Sequence, residues 1–545
     1  MVSINQRFIG GESGRRSFFG GARNRPRSVG YVVVAGIFVV GVLWFGLPGL
    51  VVAVVALVVV WAATIPTGRG ASVFSRRLTT RRARRRARRG MDVFVPVADR
   101  PAGLGERVRG RAARRARWRE WNTYRDWPDG LVGMQWLQDE PGLPGLAWHT
   151  PVGEDAYVSV VVPIAGQIRG MVPDQAVNAF SEAFGRHLLA AHGSTDSRIR
   201  RVQLLTRVLP PDTAAQETWA NDHLDMEFLA GHRDAAVSYR EVLARASAQG
   251  YQQRHYAVGR WVTDGPFGRA AARRGPGVVG WKVLMRSEVA AFRRRLEAAG
   301  LHPGEALTAR QTAAVLRHQQ MPSWPIDQAG DIDDPLGVFC AEQEQWDHTI
   351  VEDTGPAGEV ERWWHRTARV PVQGVETGPR TPLWLLPLLT GVATDVIRTV
   401  SFEFETVPAR AARKDAREDL TSDLADIAKA QKDGALLGDD LKVAKRAVSA
   451  RVNDLEPGSG HHGGRWCLHV TITAASRQDL VEATERIEEA GEACGITDLE
   501  WLDGWGQAAH AATFPVARGL EPYKPGVGQT ALNLLAGRGK KEALR

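Results

Sequence analysis

Between Arg27 and Arg69 the chain runs for 41 residues without a charged side chain, nearly all of them Val, Leu, Ala, Gly, Ile, Phe or Trp. A single helix of that length, at ~1.5 Å per residue, would reach roughly 60 Å, twice the hydrocarbon thickness of a bilayer. Leu47-Pro48-Gly49 divides the run. Pro48 has no backbone N–H to donate, and Pro beside Gly is a turn signal. The sequence therefore predicts two short transmembrane helices, Tyr31–Leu47 and Leu50–Ile65, joined by a turn at Pro48 and Gly49. Tyr31, Trp44 and Trp61 fall near the expected interfaces. A cleaved signal peptide fits poorly, because the apolar block is double and its second flank is basic.

Arginine lies on both sides of the run: Arg15, Arg16, Arg23, Arg25 and Arg27 before it, Arg69, Arg76 and Arg77 after it. The positive-inside rule then puts both termini in the cytoplasm and the Pro48 turn outside the cell membrane. The net charge of +9 hides this asymmetry. Residues 1–119 hold 24 Arg, no Lys and four acids, whereas the remaining residues are net acidic. Arg81, Arg82, Arg84, Arg85, Arg86, Arg88 and Arg89 form one block, and Arg107 to Arg119 another. A helix so charged, just inside a membrane, gains about 1 kcal/mol per arginine from anionic headgroups. Nucleic-acid phosphates would attract the same charges by counterion release. Lipid contact is the preferred reading, because no recognition module or aromatic platform accompanies the blocks.

The sequence divides into a basic N-terminus (1–30), the hairpin (31–66) and an Arg-rich juxtamembrane region (67–126). Two α/β lobes (127–330 and 331–515) and a tail (516–545) follow. Periodicity predicts strands at Asp155–Ile164, Ile199–Leu209, His255–Thr263, Ile397–Val407 and Trp466–Thr473. Helices are expected at 173–191, 213–229, 232–248, 287–299, 382–390 and 478–494. A polar helix pair is expected over 409–455, and a Gly/Arg-rich loop at 265–280. Ile199-Arg200-x-Val202 with Pro210 matches Ile397-Arg398-x-Val400 with Pro408. The two lobes thus read as a duplication, two ferredoxin-like α/β repeats in tandem.

A search for chemistry finds no catalytic set. There is no phosphate-binding G-x-x-x-x-G-K-[ST], and Gly537–Lys541 ends in Glu542. Neither H-E-x-x-H nor G-x-S-x-G occurs. Cys340, Cys467 and Cys494 are too far apart for a zinc site. Asp331 and Asp333 are the acids best spaced for a divalent metal, although such a cluster is more often a solvated loop. The expectation is a non-enzyme needing no cofactor or metal.

The hairpin Tyr31–Ile65, Arg198–Pro211 (RIRRVQLLTRVLPP), Arg254–Thr263, Trp346-Asp347-His348 and the run Ile397–Ala474 together resemble a family of actinobacterial conjugal-transfer membrane proteins. In that family a PrgI-type two-helix anchor is fused to a domain like the N-terminal, non-motor domain of the conjugation ATPase. The resemblance implies a non-catalytic component of a type IV secretion-like apparatus that moves DNA. Its implied partners are a separate motor ATPase, other channel subunits and membrane lipids, with the chain one member of an oligomeric complex. The alternatives are a subunit of a type VII secretion membrane complex and a membrane-tethered glycosyltransferase-like enzyme using Asp331 and Asp333.

Overall fold

The computed structural model describes residues 4–9 and 33–519, apart from 37, 42, 45, 65–72, 106–109, 167–171, 190–196, 212–213, 224, 355–357, 372–373, 408, 433–438 and 460. Tyr31, the arginines from Arg15 to Arg27, Arg69, Arg107, Arg109 and the stretch 537–542 lie outside the described residues. The fold is mixed α/β. In chain order its strands are β1 (Arg7–Ile9), β2 (Val93–Pro96), β3 (Tyr124–Arg125), β4 (Met134–Gln138), β5 (Leu146–His149), β6 (Tyr157–Ile164), β7 (Ile199–Leu209) and β8 (Gln252–Val262). The second half supplies β9 (Ala341–Glu344), β10 (Thr349–Thr354), β11 (Val360–Val370), β12 (Gly378–Arg380), β13 (Ile397–Val407), β14 (Gly463–Ala474) and β15 (Glu500–Trp501).

Thirteen strands form one sheet, ordered β3-β2-β9-β10-β11-β14-β13-β7-β8-β6-β5-β4, with β15 beside β11. From its centre this order unfolds alike in both directions: β13, β14, β11, β10, β9 one way and β7, β8, β6, β5, β4 the other. The central pair β7–β13 is antiparallel, with Leu204 opposite Phe402. Beside it Gln203 Nε2 donates to Ser401 Oγ at 2.8 Å, between residues 198 positions apart. That spacing is also the one separating the two matched sequence segments, so equivalent positions meet at the centre. The two halves share a single sheet.

Each half shares its outer edge in the same way. The start of β6 pairs with β5. Its end takes the N–H groups of Leu307 (to Val161 O, 2.9 Å) and Gly304 (to Pro163 O, 2.8 Å). On the other side β11 is divided between β10 and β15. Helical insertions fall at equivalent places. Ala214–His223, Met226–Gly231 and Arg233–Gln249 lie between β7 and β8, and Ala409–Lys432 with Asp439–Asp454 between β13 and β14.

Strand alternation gives the sheet two unlike faces. One carries Val160, Val202, Trp261, Val400 and Val470, buried beneath Gly277–Ala298 and Arg477–Ala493. The other is polar, with Gln203, Arg207, Thr399, Ser401, His469 and Thr471 all buried. Two short helices, Ala309–Gln320 and Gly506–Ala511, and the segment 512–519 cover it. Arg207 donates to the carbonyls of His318 (2.8 Å) and Gln319 (3.4 Å) and to Thr399 Oγ1 (3.2 Å). His365 Nε2 donates to the carbonyl of Gln320 at 3.0 Å. The orphan carbonyls ending Ala309–Gln320 are thus met by strand side chains. The expected tail begins later than 516, since Val516 and Ala517 are buried and Arg260 Nη1 donates to Ala517 O at 3.1 Å.

Two expectations need correction. The stretch 265–280 is not a loop but Gly265–Ala272 followed by the start of Gly277–Ala298. Asp264 caps the first by accepting from the Phe267 N–H, and Phe267 and Trp281 are buried between them. Pro48 and Gly49 do not form the hairpin turn; they open the helix Leu47–Thr64. Proline suits a first helical turn, where its missing N–H has no partner to lose. Gly46, at φ +57°, precedes it.

Replacing Arg207 by Leu would leave the His318 and Gln319 carbonyls buried without their donor. Chemical denaturation of the purified chain is expected to show a loss of about 3 kcal/mol.

Candidate membrane-proximal basic surface

The described residues from 33 to 44 are helical and fold back against Leu47–Thr64. The contact is made by glycine. A Cβ on Gly49 would lie 2.0 Å from the carbonyl oxygen of Gly41, so the two backbones touch and no larger residue fits. Gly49 and Ala53 are buried on that face, four residues apart, the small-xxx-small spacing of closely packed helices. The opposite side is uncovered. Leu43, Trp44, Leu47, Val51, Val55, Val58 and Trp61 are exposed, Trp44 by 80%. Among the described residues no helix is long and apolar enough to cross a membrane. Leu47–Thr64 has 18 residues, about 27 Å of helix against a hydrocarbon core of about 30 Å. The two spanning helices expected over 31–66 are therefore not found.

The arginine block is the helix Val73–Arg89. It ends at Gly90, φ +74°, with the Met91 N–H bonded to Arg86 O at 3.1 Å, a glycine-terminated Schellman closure. Its faces divide sharply. Arg86 turns inward, pairing with Asp129 and with Glu344 at 2.9 Å, and donates to Met91 O. Arg82 lies 3.5 Å over the Trp505 ring, and Thr79 packs on Gly504. Burial pushes the Glu344 carboxyl up to about 7, and Arg86 opposes that shift. Arg77, Arg81, Arg84, Arg85 and Arg88, at helical spacing, form an exposed stripe away from these contacts. Arg76 and Arg89 are exposed beside it. Among the described residues, the ion pairs of this helix all belong to Arg86. A second helix, Arg111–Trp121, packs on Gly90 through Arg119 and exposes Arg111, Arg114 and Arg115.

Segments before and after the hairpin attach to the same body. Upstream, β1 pairs with β12, the Asn5 N–H bonds Asn178 Oδ1 at 2.7 Å, and Arg7 lies 3.8 Å from Asp454. Downstream, Arg82 and Arg86 hold the arginine helix. Sequence reasoning found the charges but not this docking. Arg86 and Glu344 are 258 residues apart, and no local pattern couples them.

The remaining candidates are accounted for by ordinary packing. Asp331 and Asp333 both pair with Arg310, whose guanidinium stands where a cation would have to sit. No cluster of metal-ligating side chains occurs among the described residues. Asp347 Oδ1 accepts from His348 Nδ1 at 2.7 Å, and His461 bonds the Asp454 carbonyl. Cys467 lies 3.7 Å from His469, which resembles a nucleophile and its base. Burial pushes the thiol up to about 12 and the imidazole down to about 3, so both are neutral at pH 7. Gly275–Gly280 follows a helix rather than a strand, unlike a dinucleotide loop. The chain matches no protein-family model, and comparison with curated proteins finds no significant relative.

Arg86→Ala would leave Glu344 buried without its cation, while Asp129 keeps Arg125 at 2.6 Å, and would cost about 3 kcal/mol. Hydrogen exchange should then reveal a loosened helix Val73–Arg89. Arg84→Ala, on the exposed stripe, should change stability by less than about 0.5 kcal/mol.

Proposed function

We propose that the chain is a non-catalytic, membrane-anchored component of a conjugation, type IV secretion-like apparatus, which holds a separate motor ATPase at the inner face of the cell membrane. The observation that carries the reading is the attachment to one body of segments on both sides of the hairpin, β1 before it and the arginine helix after it. Whatever the apolar hairpin enters, it enters and leaves on the same side, which agrees with arginine on both flanks. Its exposed Val, Leu and Trp side chains suit lipid and not water. A span this short is accommodated by local bilayer thinning and by long flanking side chains reaching the headgroups. The exposed stripe Arg77–Arg88 then faces anionic phosphates.

The mirrored strand order, with its helical insertions at equivalent places, supports a tandem pair of ferredoxin-like units. Such a body offers helix faces and sheet edges to partners. The polar pair Ala409–Lys432 and Asp439–Asp454 rests on the sheet through Ala412, Ala416 and Leu455 and leaves its charged sides to solvent. In this reading it contributes the surface for the motor.

The three native thiols are buried, so introduced cysteines report topology with little background. An impermeant maleimide should label Leu47→Cys in intact cells and Arg77→Cys only after permeabilisation. Equal labelling of both before permeabilisation would exclude the anchored topology. Deleting residues 412–454 is expected to abolish co-purification of the motor ATPase from membranes; undiminished recovery would remove the helix pair from the interface.

A further inference from the structure

Patches on the two helical insertions carry opposite charge, although the second insertion as a whole, residues 408–462, has equal numbers of basic and acidic side chains. The helix Ala409–Lys432 begins with Arg410, Arg413, Lys414 and Arg417 and has no acid in its first turn. Cations there oppose the helix dipole, which favours carboxylates at an N-terminus. Part of that cost is offset within the helix by the exposed pair of Lys414 with Glu418 at 3.8 Å. These four cations, with Glu418 and Thr421, line one solvent-open cleft. The equivalent insertion in the first half has the contrary character. Residues 214–231 contain Glu217, Asp222, Asp225 and Glu227 and no Lys or Arg. Asp222, Asp225 and Glu227 are exposed. Between and beside them stand two exposed aromatic rings, Trp219 (48%) and Phe228 (55%). Each is stacked on a histidine one turn away: Trp219 on His223 at 5.0 Å, Phe228 on His232 at 4.1 Å. Their rotamers are thus set in advance, which lowers the ordering cost of binding.

We infer that the cationic cleft Arg410–Arg417 receives the acidic, aromatic segment 214–231 of a second copy of this chain. Within one molecule the two leave the sheet far apart. The cationic insertion leaves β13 at Val407 and the acidic one leaves β7 at Leu209, and these strands are antiparallel. Their exits lie at opposite ends, roughly 30 Å apart for strands of this length. The exposed acids Asp222, Asp225 and Glu227 answer Arg410, Arg413 and Arg417, and the same arginines offer guanidinium planes to Trp219 and Phe228. Because the joined surfaces differ, the contact is head-to-tail and propagates from copy to copy, closing as a ring or extending as a row.

The test uses the full chain in detergent, sized by mass photometry at low and high salt. Wild type should form oligomers that disperse in about 1 M salt. Arg410→Glu with Lys414→Glu should be monomeric, as should Asp222→Lys with Glu227→Lys. The first pair removes two cations from the helix start, which suits the helix dipole, and gives up the exposed Lys414–Glu418 contact. Mixing the two variants restores complementary surfaces and should restore the oligomers. Unchanged assembly of both variants, or no recovery on mixing, would overturn the inference. So would loss of binding to DNA or to phosphatidylserine vesicles in the Arg410→Glu, Lys414→Glu variant with its oligomers intact, which would assign the cleft to a phosphate-bearing ligand. The motor-docking reading stands or falls separately, because no ATPase is present in this measurement.

Discussion

The antiparallel junction of β7 and β13 is the contact on which the rest of the body depends. Leu204 faces Phe402 there, and the register fixes where every other strand of both halves must lie. Gln203 makes the junction more than a backbone ladder. Its amide donates to Ser401 Oγ and to the Phe514 carbonyl, and its carbonyl oxygen accepts from the Ala517 N–H. One side chain thus ties together both halves and the segment that closes the polar face. A buried amide satisfied on both its atoms is expensive to misplace, so it enforces one register among the several that alternating apolar strands would tolerate.

The division of labour between the sheet's faces follows. The apolar face buries valines and aromatics under long helices, and the stability of such packing grows with the area removed from water. The polar face takes short helices and holds them by side-chain hydrogen bonds to carbonyl groups at their ends. Arg398 does the same for Leu386–Thr390, reaching Leu388 O at 2.9 Å and Leu389 O at 2.6 Å. Arginines on strands are therefore structural here, as Arg207 and Arg398 show. Their guanidinium groups replace the water that would otherwise meet those carbonyls.

Legibility in the sequence tracked the range of the interaction. Strands such as Ile199–Leu209 and Ile397–Val407, marked by their own alternation and a following proline, were readable from local signals. The helix Ala409–Lys432 was readable for the same reason. The meander strands β4, β5 and β9 were not, because they are four or five residues long and carry Gln, Glu, His and Trp rather than a β-branched run. The charge of the basic surface was evident at once. Its division into an inward Arg86, an Arg82 laid over Trp505 and an outward stripe was invisible, since it is decided by Trp505, Asp129 and Glu344 from distant parts of the chain. Pro48 misled because it breaks a helix from within but suits one at its start.

Tethering on both sides has a mechanical consequence. A helix joined to a domain by one flexible linker lets that domain swivel freely. A hairpin flanked on both sides by docked segments, the β1–β12 pair before it and the Arg82 and Arg86 contacts after it, leaves the domain held by two attachments instead of one. The backbone contact between Gly41 and Gly49 keeps the two apolar helices together at the far end. A domain held at two points has fewer orientations open to it than one held at a single point.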